Sequence, residues 1–198
     1  MRLGRTLARL SPDDPEVHAL IALMEIQASR TAARTDRDGV PVLLLDQDRA
    51  RWDQLLIRRG LASLERAIAL GGEDAPYALQ AAIAACHARA RRAADTDWAR
   101  IAALYARLAQ ASPSPVVELN RAVAVSMADG PAQALELIDA IRDNPALKNY
   151  HLLYGVRGDL LSKLGRHAEA SPEFRRAAEL TRNAREKAYL LGRADEKA

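Results

Sequence analysis

Apolar residues recur every three or four positions along most of the chain, punctuated by polar caps and prolines. That is the period of an amphipathic α-helix and not the period of two that a strand shows. Leu3, Leu7 and Leu10 mark one helical face at the start, as though the chain opened inside a helix with something missing upstream. Asp14 and Pro15 form an N-cap with proline at the first helical position, where its missing N–H removes no intrahelical bond. The spacing predicts a helix over residues 15–33, with Val17, Leu20, Ile21, Met24 and Ala28 on one face. A second long helix is predicted over 48–70, stopped by Gly71 and Gly72 and striped by Leu56, Gly60, Leu64 and Ile68. Gly60 costs about 1 kcal/mol of helix propensity, which predicts close approach of another backbone there. The helix over 75–91 presents Leu79, Ile83, Cys86 and Ala90 on one face and Gln80, Ala84 and His87 on the next. Asp97 caps the following helix, which carries Trp98 as a packing residue and ends before Pro113.

One irregular loop, near 34–47, interrupts this pattern. Its "RTDRDGVPVLLL" holds a turn signal at Asp38 and Gly39, and Pro41 argues against a central strand. A short extended segment is expected over 42–45.

Beyond Pro113 the chain reads as short helix pairs. Ala122, Ala134, Ile138 and Ile141 fall on Gly158, Ala170, Phe174 and Ala177 at a constant offset of 36 residues. That approximates the tetratricopeptide (TPR) period of about 34. Such a repeat needs small residues where its two helices cross and a bulky ring to lock them. Gly158, Ala170 and Ala177 are the small residues, Tyr154 and Phe174 the rings, and "LGR" at 164–166 the tight turn. Pro172, inside the last repeat's second helix, should kink that helix or shift its start. The fold expected is all-α: a TPR-like right-handed superhelix of antiparallel helix pairs. It would form a single helical domain over 1–198. Within it, N-terminal helices and the loop occupy 1–72, a degenerate pair 73–113 and TPR-like pairs 114–148 and 149–183. A capping helix with a fraying tail fills 184–198.

Charge and cysteine content narrow the function classes. The 29 basic and 26 acidic residues nearly balance, which argues against a nucleic-acid footprint in spite of the basic pI. Cys86 is the single cysteine, so no internal disulfide or cysteine-based metal site can form, which suits a reducing cytoplasm. Charges interrupt every apolar run, so no bilayer-spanning segment and no membrane partner are expected.

The chemistry-bearing stretch is "DQDRARWD". Asp46 and Asp48 precede a helix start, where free backbone N–H groups favour carboxylates. Arg49 and Asp53, four apart, would share a helix face, and Trp52 would anchor the start to the body. The competing reading is a catalytic or small-molecule-sensing centre built on the Asp46–Asp53 cluster and His87. Catalysis would need a base with a partner and a pocket. "DRDG" matches only a fragment of a calcium loop, and the four histidines lack metal-ligand spacing. Cys86 and His87 point about 100° apart on a helix, which argues for a buried, inert thiol. Asn120 sits early in the first helix of a TPR-like pair, where an amide can bind a peptide backbone, and Arg121 follows it. Gln80, His87, Asn120 and Arg121 are the candidate groove residues.

Several stretches together, "PEVHALIALMEIQASRTAARTD", "LLLDQDRARWD", "YALQAAIAACHARA", "DTDWARIAALY", "SPSPVVELNRAVAVSMADGP" and "LLSKLGRHAEA", carry a resemblance over nearly the whole chain. It resembles the C-terminal TPR-type extension of a group of extracytoplasmic-function (ECF) RNA polymerase sigma factors, the group associated with small YCII-like proteins. The domains with which sigma factors melt the −10 and read the −35 promoter elements are absent from this sequence. The resemblance implies a non-catalytic, cofactor-free regulatory module. Its partners would be the sigma domains in cis, core polymerase or another protein, with no nucleic acid bound by this segment itself. It marks Asp46, Gln47, Asp48, Arg49, Trp52 and Asp53 as the polar motif, with Gln80, His87, Asp97, Trp98, Asn120 and Arg121 beside it. It also implies that the segment is a fragment, a truncated reading frame or a stand-alone relative.

Overall fold

Helix starts in the computed structural model follow the caps in the sequence. Asp14, Asp53, Asp97, Ser114 and Asn183 each accept a hydrogen bond from a first-turn N–H, and Pro15, Pro76, Pro115 and Pro131 sit in first turns. The structure describes residues 2–196, apart from the side chains of Arg2 and Arg5. Met1 and the last residues of the expected fraying tail, Lys197 and Ala198, lie outside the described residues. The helices are α1 (Arg2–Leu10), α2 (Pro15–Ser29), α3 (Gln54–Ala69), α4 (Pro76–Arg89) and α5 (Trp98–Ala111). They continue with α6 (Pro115–Ala128), α7 (Pro131–Ile141), α8 (His151–Lys163), α9 (His167–Leu180) and α10 (Ala184–Asp195). The fold is all-α. Among the described residues the one β-type feature is an isolated bridge between Thr35 and Pro41. Two compact units partition the chain, Met1–Ser112 and Pro113–Ala198.

In the first unit α2 packs against α1, α3 and α4, and α5 packs on α4. The core is alanine-rich: Ala19, Ala22 and Ile26 meet Leu64, Ala67, Ala78, Ala81 and Ala85. Gly60 is where α3 crosses α2. A Cβ there would lie 2.6 Å from Ile26 Cγ1 and 3.0 Å from the Ala22 carbonyl oxygen, which accounts for a glycine in mid-helix.

Three expectations about this unit need correction. The long helix starts at Gln54 and not near residue 48. Asp48 opens a separate 3₁₀ turn, Arg49–Arg51, and Trp52 is extended (φ −77°, ψ 134°), so Asp53 becomes the cap of α3. Arg49 and Asp53 therefore share no helix face. Next, α2 ends at Ser29, with a 3₁₀ turn at Thr31–Ala33. Its buried residues are Ala19, Ile21, Ala22, Glu25, Ile26 and Ser29, and Met24 is exposed, because three helices cover it from different sides. Last, the extended segment expected over 42–45 is cut short after residue 43. The chain turns at 44–46, and Leu44 packs on the Ala33, Trp52 and Ile57 cluster.

In the second unit α6 packs on α7, α7 on α8, α8 on α9 and α9 on α10, and α6 also reaches α8. Residues aligned by the offset of 36 are interior: Ala122, Ala134 and Ile138 in one pair, Ala170, Phe174 and Ala177 in the next. Gly158 faces the Phe174 ring so closely that a Cβ would sit 2.9 Å from two ring carbons. Tyr154 is half-buried and its hydroxyl donates to the Lys148 carbonyl at 2.9 Å. Gly165, with φ of 73°, makes the turn in "LGR". Arg157, on α8, is buried and paired with Asp139 of α7 at 2.8 Å and Glu173 of α9 at 2.5 Å. α9 runs from His167 through Pro172 without a shifted start. Pro172 and Ala168 are both exposed, so the carbonyl that loses its donor faces water.

Candidate functional site

The loop that carries the polar motif is ordered by its own side chains. Asp36 Oδ1 accepts from the backbone N–H of Asp38 (2.9 Å) and Val40 (2.8 Å), and Gly39 takes φ of 75° at the turn. This use of the Asp36 carboxylate explains "DRDG" without a cation. Asp46 is exposed. Gln47 is buried, and its Nε2 donates to the Val42 carbonyl at 3.1 Å. Asp48 Oδ1 accepts from Ala50 N–H at 2.9 Å, and Asp53 Oδ1 accepts from Leu55 and Leu56 N–H at 2.9 and 3.0 Å. The Asp53 N–H donates to the Ser29 carbonyl at 2.9 Å, which fastens the start of α3 to the end of α2.

Arg49 reaches furthest. Its Nη1 donates to the carbonyls of His87 and, at 2.8 Å, Ala90, and its Nη2 donates to Thr96 Oγ1 at 3.2 Å. It thus covers carbonyls at the C-terminal end of α4, where a positive charge also complements the helix dipole. Trp52 is 3% exposed, and both Arg30 (5.7 Å) and Arg49 (5.1 Å) lie over its ring. His87 stands edge-on to Trp98 with ring centroids 5.3 Å apart. Burial, reinforced by the charges of Arg49 and Arg30, pushes the His87 imidazole down to about 4, so it is neutral at pH 7. Asp97 caps α5 through Arg100 N–H at 2.9 Å. Cys86 is buried, and burial pushes its thiol up, away from the reactive thiolate. Gln80 bonds within α4, to the Pro76 carbonyl at 3.2 Å. Arg49, Trp52, His87 and Trp98 are therefore brought together, and Gln80 stands apart from them. Arg30 and Thr96 were invisible in the sequence, because only tertiary packing brings them to the motif.

A second candidate lies in the unit Pro113–Ala198. A cavity of about 280 Å³ runs between α6, α8 and α10. Its wall is mainly apolar and includes Met127, Leu152 and Tyr189, exposed by 41, 42 and 61%. Polar residues at its edge pair with one another: His151 contacts Glu186 (3.2 Å), and Asp159 pairs with Lys163 (2.7 Å) and Arg193 (3.3 Å). Gly155 lines it, and a Cβ there would meet nothing nearer than Leu190 at 3.9 Å. Asn120 is exposed one turn before Val123 on the same α6 face, and Arg121 pairs with Glu118 at 3.2 Å. Neither lines the cavity. The sequence signal for this site was a set of apolar residues left over from the packing stripes, Tyr189 among them.

Among the described residues no three His, Cys, Asp or Glu side chains are placed to hold a metal ion, and no helix is long and apolar enough to cross a membrane. The model of a family of unknown function (DUF6596) matches residues 1–68. An uncharacterized protein of Rhizobium meliloti (strain 1021), R00370, is 46% identical over 195 residues, which cover 98% of this chain. The chain spans 45% of the length of that relative. No solved structure matches.

Proposed function

We propose that the chain is a helical protein-interaction module, TPR-like in its superhelical stacking, that regulates an ECF-type sigma factor within a longer polypeptide. The observation that carries this reading is the apolar cavity between α6, α8 and α10. Its rim polar groups already have partners, so it is suited to apolar side chains of a protein segment rather than to a polar substrate. The sigma-factor assignment rests on the sequence resemblance, and the length of the relative leaves room for sigma domains in the same polypeptide. The partner is the sigma domains themselves, core polymerase or another protein. The module works without a cofactor and without catalysis: Asp48 and Asp53 serve as helix caps and Arg49 as a brace. The test is to delete this segment from the intact longer factor and measure transcription from its target promoters. The expected result is altered initiation. Unchanged transcription at those promoters would overturn the reading, leaving a plain scaffold.

A further inference from the structure

We propose that the cluster of Arg30, Arg49, Trp52 and His87 is a binding site for a small oxyanion, a phosphate or carboxylate group. This inference is independent of the sigma-factor reading. Its first support is uncompensated charge. Arg30 and Arg49 both lie over the Trp52 indole, and among the described residues neither guanidinium forms an ion pair with a carboxylate, Asp95 acting on Arg49 only through its more distant charge. Arg30 is bonded to Gln27, and Arg34 adds a further positive charge against the same glutamine. Nearby acids are engaged elsewhere. Asp48 and Asp53 accept from backbone N–H groups, and Asp95 is forked with Arg92 at 2.8 and 3.0 Å. Arg157, by contrast, is paired directly with two carboxylates, and neither Arg30 nor Arg49 has such a pair.

The second support is unspent hydrogen-bonding capacity. Arg49 Nε, Trp52 Nε1 and His87 Nδ1 are buried and have no protein partner. Trp52 is more than nine-tenths buried. The first two are obligatory donors, and neutral His87 can place its proton on Nδ1. Buried donors without partners are rare and costly in native proteins. Water would satisfy the donors but leave Arg30 without a counter-charge and Arg49 with only the distant Asp95, which is already forked with Arg92. An oxyanion would satisfy both, and planar guanidinium groups match phosphate and carboxylate oxygens. The neutral state of His87 follows in part from the same two arginines, so an anion at the site would restore its affinity for a proton.

The chain has two tryptophans, so the indole N–H resonances of Trp52 and Trp98 are readily assigned in a ¹H–¹⁵N spectrum of the whole protein. Inorganic phosphate, acetate and sulfate are titrated in separately at constant ionic strength, with chloride as the control. The expected result is a saturable shift of the Trp52 indole resonance, and phosphate against acetate distinguishes the two ligand classes. With sulfate, which stays doubly charged, the His87 titration midpoint should rise from about 4. Arg30→Gln, at a half-buried position whose side chain makes no capping bond, should weaken binding about tenfold or more while preserving the spectrum. Arg49→Lys is the second variant, and it should weaken binding by a similar factor. No saturable shift with any of the three anions would overturn the proposal. So would equal affinity in Arg30→Gln, which would mean an adventitious ion only, or an indole that contacts long-lived water irrespective of anion.

Discussion

Each unit of the molecule braces its elements with an arginine, half-buried in the first and buried in the second, and the two handle it in opposite ways. Arg157, in Pro113–Ala198, is matched by Asp139 and Glu173 on the two flanking helices and locks three helices together. Arg49, in Met1–Ser112, gives its hydrogen bonds to two carbonyls and a hydroxyl and has no carboxylate partner. Stacked helices bring complementary charges from α7 and α9 to the one arginine between them. The irregular loop instead uses its arginine as a brace and leaves its charge open. A buried charge that is fully paired tells of architecture, whereas one left open tells of a ligand.

Predictions that break or sharpen this contrast can be ranked by expected effect. Trp52→Ala removes the centre of the Ala33, Trp52 and Ile57 cluster and the surface under both arginines. It should cost about 3–5 kcal/mol in denaturant unfolding of the first unit. Amide exchange in α8 and α9 should stay slow, and equal acceleration in both units would erase the distinction. Arg157→Ala should cost about 2 kcal/mol, less than a fully buried pair because Asp139 is half exposed. Arg157→Met should cost less than Arg157→Ala, since methionine fills the space without demanding a counter-charge.

Acid should act on the first unit through His87. Unfolded, this imidazole binds its proton near 6.5, and folded only near 4. Between those values the unfolded chain holds more protons, so stability falls as pH drops. The slope is at most about 1.4 kcal/mol per pH unit, and the loss is complete below the lower value. Urea unfolding across that window should show the slope, and His87→Gln should flatten it. The smallest effect distinguishes the two aspartates. Asp53→Ala should cost about 1 kcal/mol, and Asp48→Ala less, because Asp53 starts four turns of α-helix and Asp48 a single 3₁₀ turn. Equal losses in thermal unfolding would restore the longer helix that the sequence predicted.

That last comparison shows where the sequence was legible. Caps, prolines and the 36-residue offset located nearly every helix, because these are local signals and a repeat states them twice. Gly60 and Gly158 were readable as close crossings because a glycine in mid-helix needs a reason. The start of α3 was not readable. Asp48 and Asp53 are equally good caps, and the choice falls on Asp53 because Trp52 must leave the helical path to reach the interior. The buried face of α2 misled for a similar reason, since a helix covered on three sides has no single stripe. For the candidate sites, the polar motif stood out by composition, but its partners Arg30 and Thr96 are set by packing alone. Asn120 was singled out on the face that leads into the α6–α8–α10 cavity, yet the walls of that cavity are apolar residues with no motif.

The reach of Arg49 across 38, 41 and 47 residues of chain has a consequence for how this segment tolerates insertions and deletions. The turn at 36–40 is exposed and its ends are held together by the Val42 N–H bond to the Arg34 carbonyl, so residues added at its tip lengthen a closed loop at small cost. The six positions from Asp48 to Asp53 have no such freedom. One residue more or fewer would rotate Trp52 out of the interior while Arg49 still held the far end of α4, and the loop would have to give up one anchor or the other.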